Sequence, residues 1–415
     1  GIYLVSSRLR AARKFLFTRL MLLYPVLAEC VYRVGTVLAP KHSWLRTVTS
    51  QQDWKDQKPL QGPVVWMHCA SLGEFEMGKP ILESYLATVP NAQAVVTFFS
   101  PSGYEPRKNY SKALVHYLPF DAPSEVEKWL DYCNPNVALF IRYDLWPNHI
   151  AGLRKRSIPA LVSAMSAPKT PWFLNRYLPL VRRNFIRCIQ HWGMAEDSDA
   201  EIMSRSGVHS EVLGNPKFDY AQSLIDIEAP TAYITWKSAQ TKPVFLVGSA
   251  HFEDVAFLKA HLDWSSFSVW IVPHNLKDSA EMLGSLPEGL NVALDADTPG
   301  STDVLIVETF GVLRTMYSIA DYVFIGGGFG KAVHNVLEAT AAGKAVASGP
   351  NTAKMPENAA LIREGLLVPC SSSSDLDTYV STTDVTTKEK ALNMLKAHSG
   401  AVEKTVDLLK KSVQL

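Results

Sequence analysis

A chain of 415 residues, 47% hydrophobic and 20% charged, reads as globular and is too long for one ordinary core, so two domains are expected. Its 41 basic and 40 acidic side chains leave a net charge of +1, which excludes the strongly basic face of a nucleic-acid binder. Five cysteines, at 30, 69, 133, 188 and 370, form no CxxC pair and read as reduced cytosolic thiols.

The first forty residues differ from the rest. Arg8, Arg10, Arg13, Lys14 and Arg19 precede and enter an apolar run from Phe15 to Ala39, which Glu29 and Arg33 interrupt and Pro25 would kink. A spanning helix needs roughly 20 mainly apolar residues, so these charges argue against crossing. A basic flank beside an apolar helix suits lying on an anionic membrane surface. Docking on the protein's own core is the alternative.

From Gly62 onward, short apolar runs alternate with amphipathic segments. Val64–His68, Ala94–Phe99, Leu114–Leu118, Val137–Ile141 and Ala160–Ser163 are predicted strands. They are continuously apolar, as strands of a parallel sheet covered on both faces are. Helices are predicted at Glu76–Leu86 and Pro123–Tyr132. The strand "CIQHWGMA" precedes a capped helix, "EDSDAEIMSRSG". Asp219–Tyr233 reads as a linker, and the pattern then restarts with "PVFLVGSA", "SVWIVPH", "DVLIVET", "DYVFIGG" and "KAVASGP". The expected fold is α/β, with two Rossmann-like doubly wound domains in tandem and ligands in the crevice at the strands' carboxyl ends. The expected boundaries are 1–44 for the membrane-associated segment, 45–220 and 221–395 for the domains, and 396–415 for a last amphipathic helix that suits either half.

The chemistry-bearing residues fall where strands end. Ser71, Gly73 and Glu74 follow the first strand. Ser71 and Glu74 have capping-box spacing. Glu74 is also a carboxylate in a first helical turn at a strand's carboxyl end, which suits a general base, and Gly73 leaves room for a substrate. Arg142 ends another strand and could bind an anion or pair with Asp144. Lys217 is a candidate phosphate contact or a linker ion pair. In the second half, Gly326, Gly327, Gly328 and Gly330 lead into a helix expected to start near Asn335, with Glu338 in its first turn, a pattern that lets backbone approach a phosphate. Pro273 and His274 end one strand, and Thr309 to Leu313 join another to a helix. No HExxH, no paired Cys/His spacing and no DxD dyad occurs, so no required metal and no cofactor are expected.

Taken in order, these pieces resemble the Kdo (3-deoxy-D-manno-octulosonic acid) transferases. The likeness rests on His68, Ser71, Gly73 and Glu74 in an H-x-x-S-x-G-E stretch, then "YLPFDAP", "LWPN", "GNPKFD", "GSAHFED", "VPH", the Gly311 turn and "HNVLEATAAGKAVASGP". The resemblance implies a GT-B fold with two domains facing a cleft and an N-terminal membrane-contacting helix. It implies CMP-Kdo as donor, a lipid A precursor as acceptor, inverting transfer, and a place on the cytoplasmic face of the bacterial inner membrane. On it, Glu74 matches the general base. Ser249, Pro273, His274, Gly311, Val312, Leu313, Gly327, Gly328, Asn335, Val336, Leu337 and Glu338 fall on donor-binding stretches. Two positions depart from the family pattern: Arg142 stands where an acid is common, and His274 where Arg often follows the proline. The alternatives are another GT-B transferase or epimerase using a UDP-sugar, and a non-catalytic lipopolysaccharide-binding protein.

Overall fold

The computed structural model describes residues 23–38, 52–166, 171–174, 179–383 and 386–413. The basic residues Arg8 to Arg19 and the start of the apolar run lie outside these. Two compact units form: one from residues 1–216 with 400–415, the other from 217–399.

The first unit carries a seven-stranded parallel sheet in the order β3-β2-β1-β4-β5-β6-β7. Its strands are β1 (Val64–Cys69), β2 (Gln93–Phe98), β3 (Leu114–Tyr117), β4 (Val137–Ile141), β5 (Ala160–Met165), β6 (Ile189–Met194) and β7 (Glu211–Val212). The central strands β1, β4 and β5 are buried at every position, because helices cover both faces. The second unit repeats the plan in the order β10-β11-β9-β8-β12-β13-β14. Here β8 is Val244–Ala250, β9 Ser268–Pro273, β10 Val292–Leu294, β11 Val304–Ile306, β12 Tyr322–Ile325, β13 Val346–Ser348 and β14 Leu367–Pro369. In each unit the first strand lies mid-sheet, and chain order reverses across it. The switch points are therefore β1/β4 and β8/β12, where doubly wound folds place their ligands.

Three strands were not predicted from the sequence: β7, β10 and β14 are edge strands of two or three residues, too short to carry a periodic signal. The expected linker is largely structured: Pro216–Gln222 and Thr231–Ser238 are helices, and Leu224 and Tyr233 are buried in the second unit's core. Its polar residues occupy only the outer faces.

Three helices of the first unit bear on the site. Helix α1 (Tyr24–Leu38) docks on the 120–124 segment, where Tyr24 Oη donates to Asp121 (2.9 Å) and Glu29 accepts from the Ser124 hydroxyl (2.8 Å). Asp121 also accepts from the backbone N–H groups of Asn148 (3.1 Å) and His149 (2.9 Å), in the first turn of Pro147–Lys155. The "YLPFDAP" and "LWPN" stretches thus meet through one buried carboxylate at a helix N-terminus. Helix α2 (Leu72–Thr88) follows β1. Helix α3 (Ala401–Ser412) returns to the first unit, packing on α2 with Val406 and Leu409 in that core.

Candidate functional site

At the β1/β4 switch point the first unit gathers four charged or titratable side chains: His68, Glu74, Arg142 and Asp144. Ser71 is the N-cap of α2 in extended conformation, but its side chain makes no cap bond. The Glu74 carboxylate instead accepts the N–H of Ala70 at 2.5 Å, one residue earlier than a capping box requires. The expected Ser71–Glu74 box therefore does not form. The carboxylate takes the Ala70 donor in place of the Ser71 N–H.

His68 is buried in the strand end. The Trp66 indole N–H donates to Thr97 Oγ1 (2.9 Å), which lies 2.9 Å from His68 Nδ1, and His68 Nε2 lies 3.0 Å from Asp144 Oδ2. Indole nitrogen only donates, so Thr97 accepts there and its own proton is free for His68 Nδ1. That leaves Nε2–H to donate to Asp144. The two carboxyls of the cluster are driven apart. Burial lifts the Glu74 carboxyl above its ordinary value, and Asp144 adds to this, while the Ala70 N–H, His68 and Arg142 only partly oppose it. Burial pulls Asp144 the same way, but the hydrogen bond and charge of His68, with Trp146 and His149, together override that and hold it below the ordinary value. Two neighbouring carboxyls whose environments push them in opposite directions are the kind of pair from which acid–base sites are built.

Arg142 sits at φ 66°, and its Nε is buried with no hydrogen-bond partner. The pairing with Asp144 allowed by the sequence is not formed, since Asp144 faces His68. Cys69 is fully buried and burial pushes its thiol well above the ordinary value, so it does not act as a nucleophile.

In the second unit the predicted donor residues collect around the β8/β12 switch point. Ser249 is held at φ 51° beside an irregularity in the β8/β9 register. The glycine run passes directly over it: a Cβ on Gly326 would lie 2.3 Å from the Ser249 carbonyl oxygen. Gly327 has φ +89°, and its N–H and that of His251 both donate to buried Asp254 Oδ2 at 2.9 Å. Asp254 was missed by sequence reasoning. It lies in the "GSAHFED" stretch, and its position three residues into the helix Phe252–His261 was the available signal. The helix expected near Asn335 starts at Leu337 and spans only Leu337–Ala341. Asn335 lies before it: its Oδ1 accepts the Leu337 N–H (3.2 Å) and its Nδ2 donates to Glu338 (3.2 Å).

Not every predicted residue offers a side chain. Pro273, Val336 and Leu337 are core residues, so only their backbone is available to a ligand. The Glu308 and Thr309 N–H groups are taken by Asp295, which leaves the Gly311 turn, with exposed Phe310, as the open part of that loop. Lys217 follows its ion-pair alternative, bonding Glu357 at 2.6 Å.

Comparison with known proteins fits this layout. Residues 42–220 match the family model described as 3-deoxy-D-manno-octulosonic-acid transferase (kdotransferase). A Haemophilus influenzae 3-deoxy-D-manno-octulosonic acid transferase is 24% identical over 96% of this chain and 98% of its own length. The likeness to Kdo transferases thus covers residues 42–220 by the family model and nearly the whole chain by this relative. An Arabidopsis thaliana protein, a probable mitochondrial 3-deoxy-D-manno-octulosonic acid transferase, is 28% identical over 69% of each chain. Among solved structures, a glycosyltransferase from Rickettsia africae aligns with a TM-score of 0.56 over 85% of this chain and 99% of its own, at 10% identity. The two doubly wound units have the GT-B type of fold.

Proposed function

We propose that this chain is a Kdo transferase that moves Kdo from CMP-Kdo to a lipid A precursor such as lipid IVA, with inversion, and that Glu74 is the general base. The observation that carries the reading is the pair of carboxyls at the β1/β4 switch point. Glu74 is raised towards neutrality and Asp144 is held ionised against His68. A raised carboxyl can take the proton of an acceptor hydroxyl as the new bond forms, and a single base is what an inverting displacement asks of the acceptor side. Arg142, with its unpartnered buried Nε, would meet an anionic group of the acceptor. The second unit would hold the donor, whose phosphate suits the backbone turns at Gly311 and Gly327–Gly328. The test is transfer from CMP-Kdo to lipid IVA in detergent, paired with thermal protection. CMP should raise the melting temperature and UDP should not. Protection by UDP alone, with no product, would turn the reading to the UDP-sugar enzymes.

A lipid A precursor is an amphiphile, and the exposed apolar stripe of α1 supports a place at a membrane surface, which the family resemblance puts at the cytoplasmic face. One face of α1 is tied down through Tyr24, Ala28 and Glu29. The other leaves Val26, Leu27, Val31, Val34 and Leu38 exposed at 42–74%. Among the described residues no helix is long and apolar enough to cross a membrane, and a stripe of this kind suits lying in the interface. Changing Val31 and Val34 together to Asp removes two contacts, each worth about 1.5–3 kcal/mol when fully buried. Sedimentation with anionic vesicles should weaken at least about tenfold, with circular dichroism unchanged. Equal partition of wild type and variant would assign the stripe elsewhere.

A further inference from the structure

Three histidines far apart in sequence meet in the second unit. His251 directly follows β8, His274 directly follows β9, and His334 lies in the loop after β12. Their ligand nitrogens all lie within 4.8 Å of one another. His251 Nε2 and His334 Nε2 are 2.9 Å apart. The rings stack, with centroids at 4.4 Å for His274 and His334, 4.6 Å for His251 and His274, and 5.2 Å for His251 and His334.

The cluster is held by its backbone. The His251 N–H donates to Asp254 Oδ2 (2.9 Å), the His274 N–H to the Ala250 carbonyl (2.9 Å) and the His334 N–H to the Gly326 carbonyl (3.1 Å). Gly327 gives the His334 ring its room, since a Cβ there would stand 3.0 Å from the ring. Three rings are therefore fixed to three adjacent strand ends of one sheet, which a chance surface grouping would not require.

We propose that His251, His274 and His334 form a binding site for a divalent transition ion of the zinc class, held by three imidazole nitrogens. Tetrahedral zinc with Zn–N bonds of about 2.0–2.1 Å sets its nitrogens about 3.4 Å apart. The 2.9 Å pair, a hydrogen bond between the two Nε2 atoms, and the 4.8 Å outer limit lie on either side of that spacing. Three imidazoles suit zinc, cobalt, nickel or copper and not magnesium or calcium, which take oxygen ligands. Ligand histidines must be neutral. His274 is exposed, which leaves the fourth position open to water or to an oxygen of an anionic ligand. The expectation of no metal rested on local spacing, and these ligands have none: 23 and 60 positions separate them.

The test uses the untagged full-length protein, stripped with EDTA and dialysed, and titrated calorimetrically with Zn²⁺ alone. One ion per chain is expected. Each of His251→Ala, His274→Ala and His334→Ala should weaken binding at least about tenfold. Co²⁺ should give a visible absorption band that the variants lose. His274 is exposed, so His274→Ala keeps the fold, which circular dichroism checks. No Zn²⁺ binding by the wild type, or binding unchanged in His274→Ala, overturns the proposal. Stabilisation by inorganic phosphate with none by Zn²⁺ also overturns it, making the cluster an anion site. Because none of these readouts is sugar transfer, failure of the metal site and failure of the transferase reading are told apart.

Discussion

Glu74→Gln is expected to lower kcat by about 10²–10⁴-fold, the range for loss of a positioned general base, while the protein stays folded. Gln keeps an oxygen to accept the Ala70 N–H. It removes a carboxylate whose charged form burial disfavours. Burial also sets the sign of the pH effect. The folded carboxyl lies above its unfolded value, so the folded state favours the protonated form. Glu74 therefore costs stability as pH rises from the ordinary glutamate value through the raised one, and is neutral below both. The variant should be no less stable than wild type at neutral pH, and the two should converge in acid. Wild-type activity should rise with pH through the raised value, and the residual activity of the variant should lack that limb. Urea unfolding at neutral and acidic pH, together with a pH–rate profile, checks both parts. A variant with wild-type kcat would return Glu74 to a structural bond to Ala70. A large fall in its stability would show that the carboxylate supports the fold, against the burial argument.

Gly349→Ala should destabilise the second unit by about 3 kcal/mol, at the upper end of overpacking costs. A Cβ on Gly349 would stand 2.5 Å from the Gly328 carbonyl carbon and 2.6 Å from the Phe329 nitrogen. Both are backbone atoms that no rotamer change can move. The contact is mutual, since a Cβ on Gly328 would meet Gly349 N, C and O at 2.6–2.8 Å. Around it the Asn351 N–H donates to the Gly328 carbonyl (2.9 Å), and Asn351 Nδ2 donates to Gly330 (2.8 Å). Separating the two turns breaks this brace under the proposed donor loop, so CMP protection should weaken along with stability. Gly73→Ala is the contrasting variant. Nothing lies within 4 Å of its Cβ, and alanine favours the helix it occupies by up to about 1 kcal/mol. It should not lower the melting temperature, so a fall in turnover there would report crowding of a substrate. Differential scanning fluorimetry of both variants, with and without CMP, decides between these outcomes.

Several features were legible in the residues alone. The runs that became β1, β4 and β8 are apolar at nearly every position, and only a strand covered on both faces reads that way. Glu74 could be singled out because it follows such a run at a helix start, and the glycine run could be because backbone must come close there. Short edge strands carried no signal. The capping-box spacing was misleading, because whether Ser71 or Ala70 supplies the N–H depends on the turn into α2 and not on residue identity.

The sequence by itself determined two doubly wound α/β units in tandem and the strand ends where chemistry gathers, because burial on two faces and helix starts are local patterns; the expected boundary at 220/221 falls at 216/217 in the structure. Tertiary structure alone decided which strand ends are neighbours. It placed Asp144, 76 positions from His68, within 3.0 Å of it, and so drove the Glu74 and Asp144 carboxyls in opposite directions. It also set His251 beside His334, 83 positions away. Parallel strands are joined by long crossovers, so groups that meet at a switch point are distant in the chain, and no spacing rule along the sequence can bring them together.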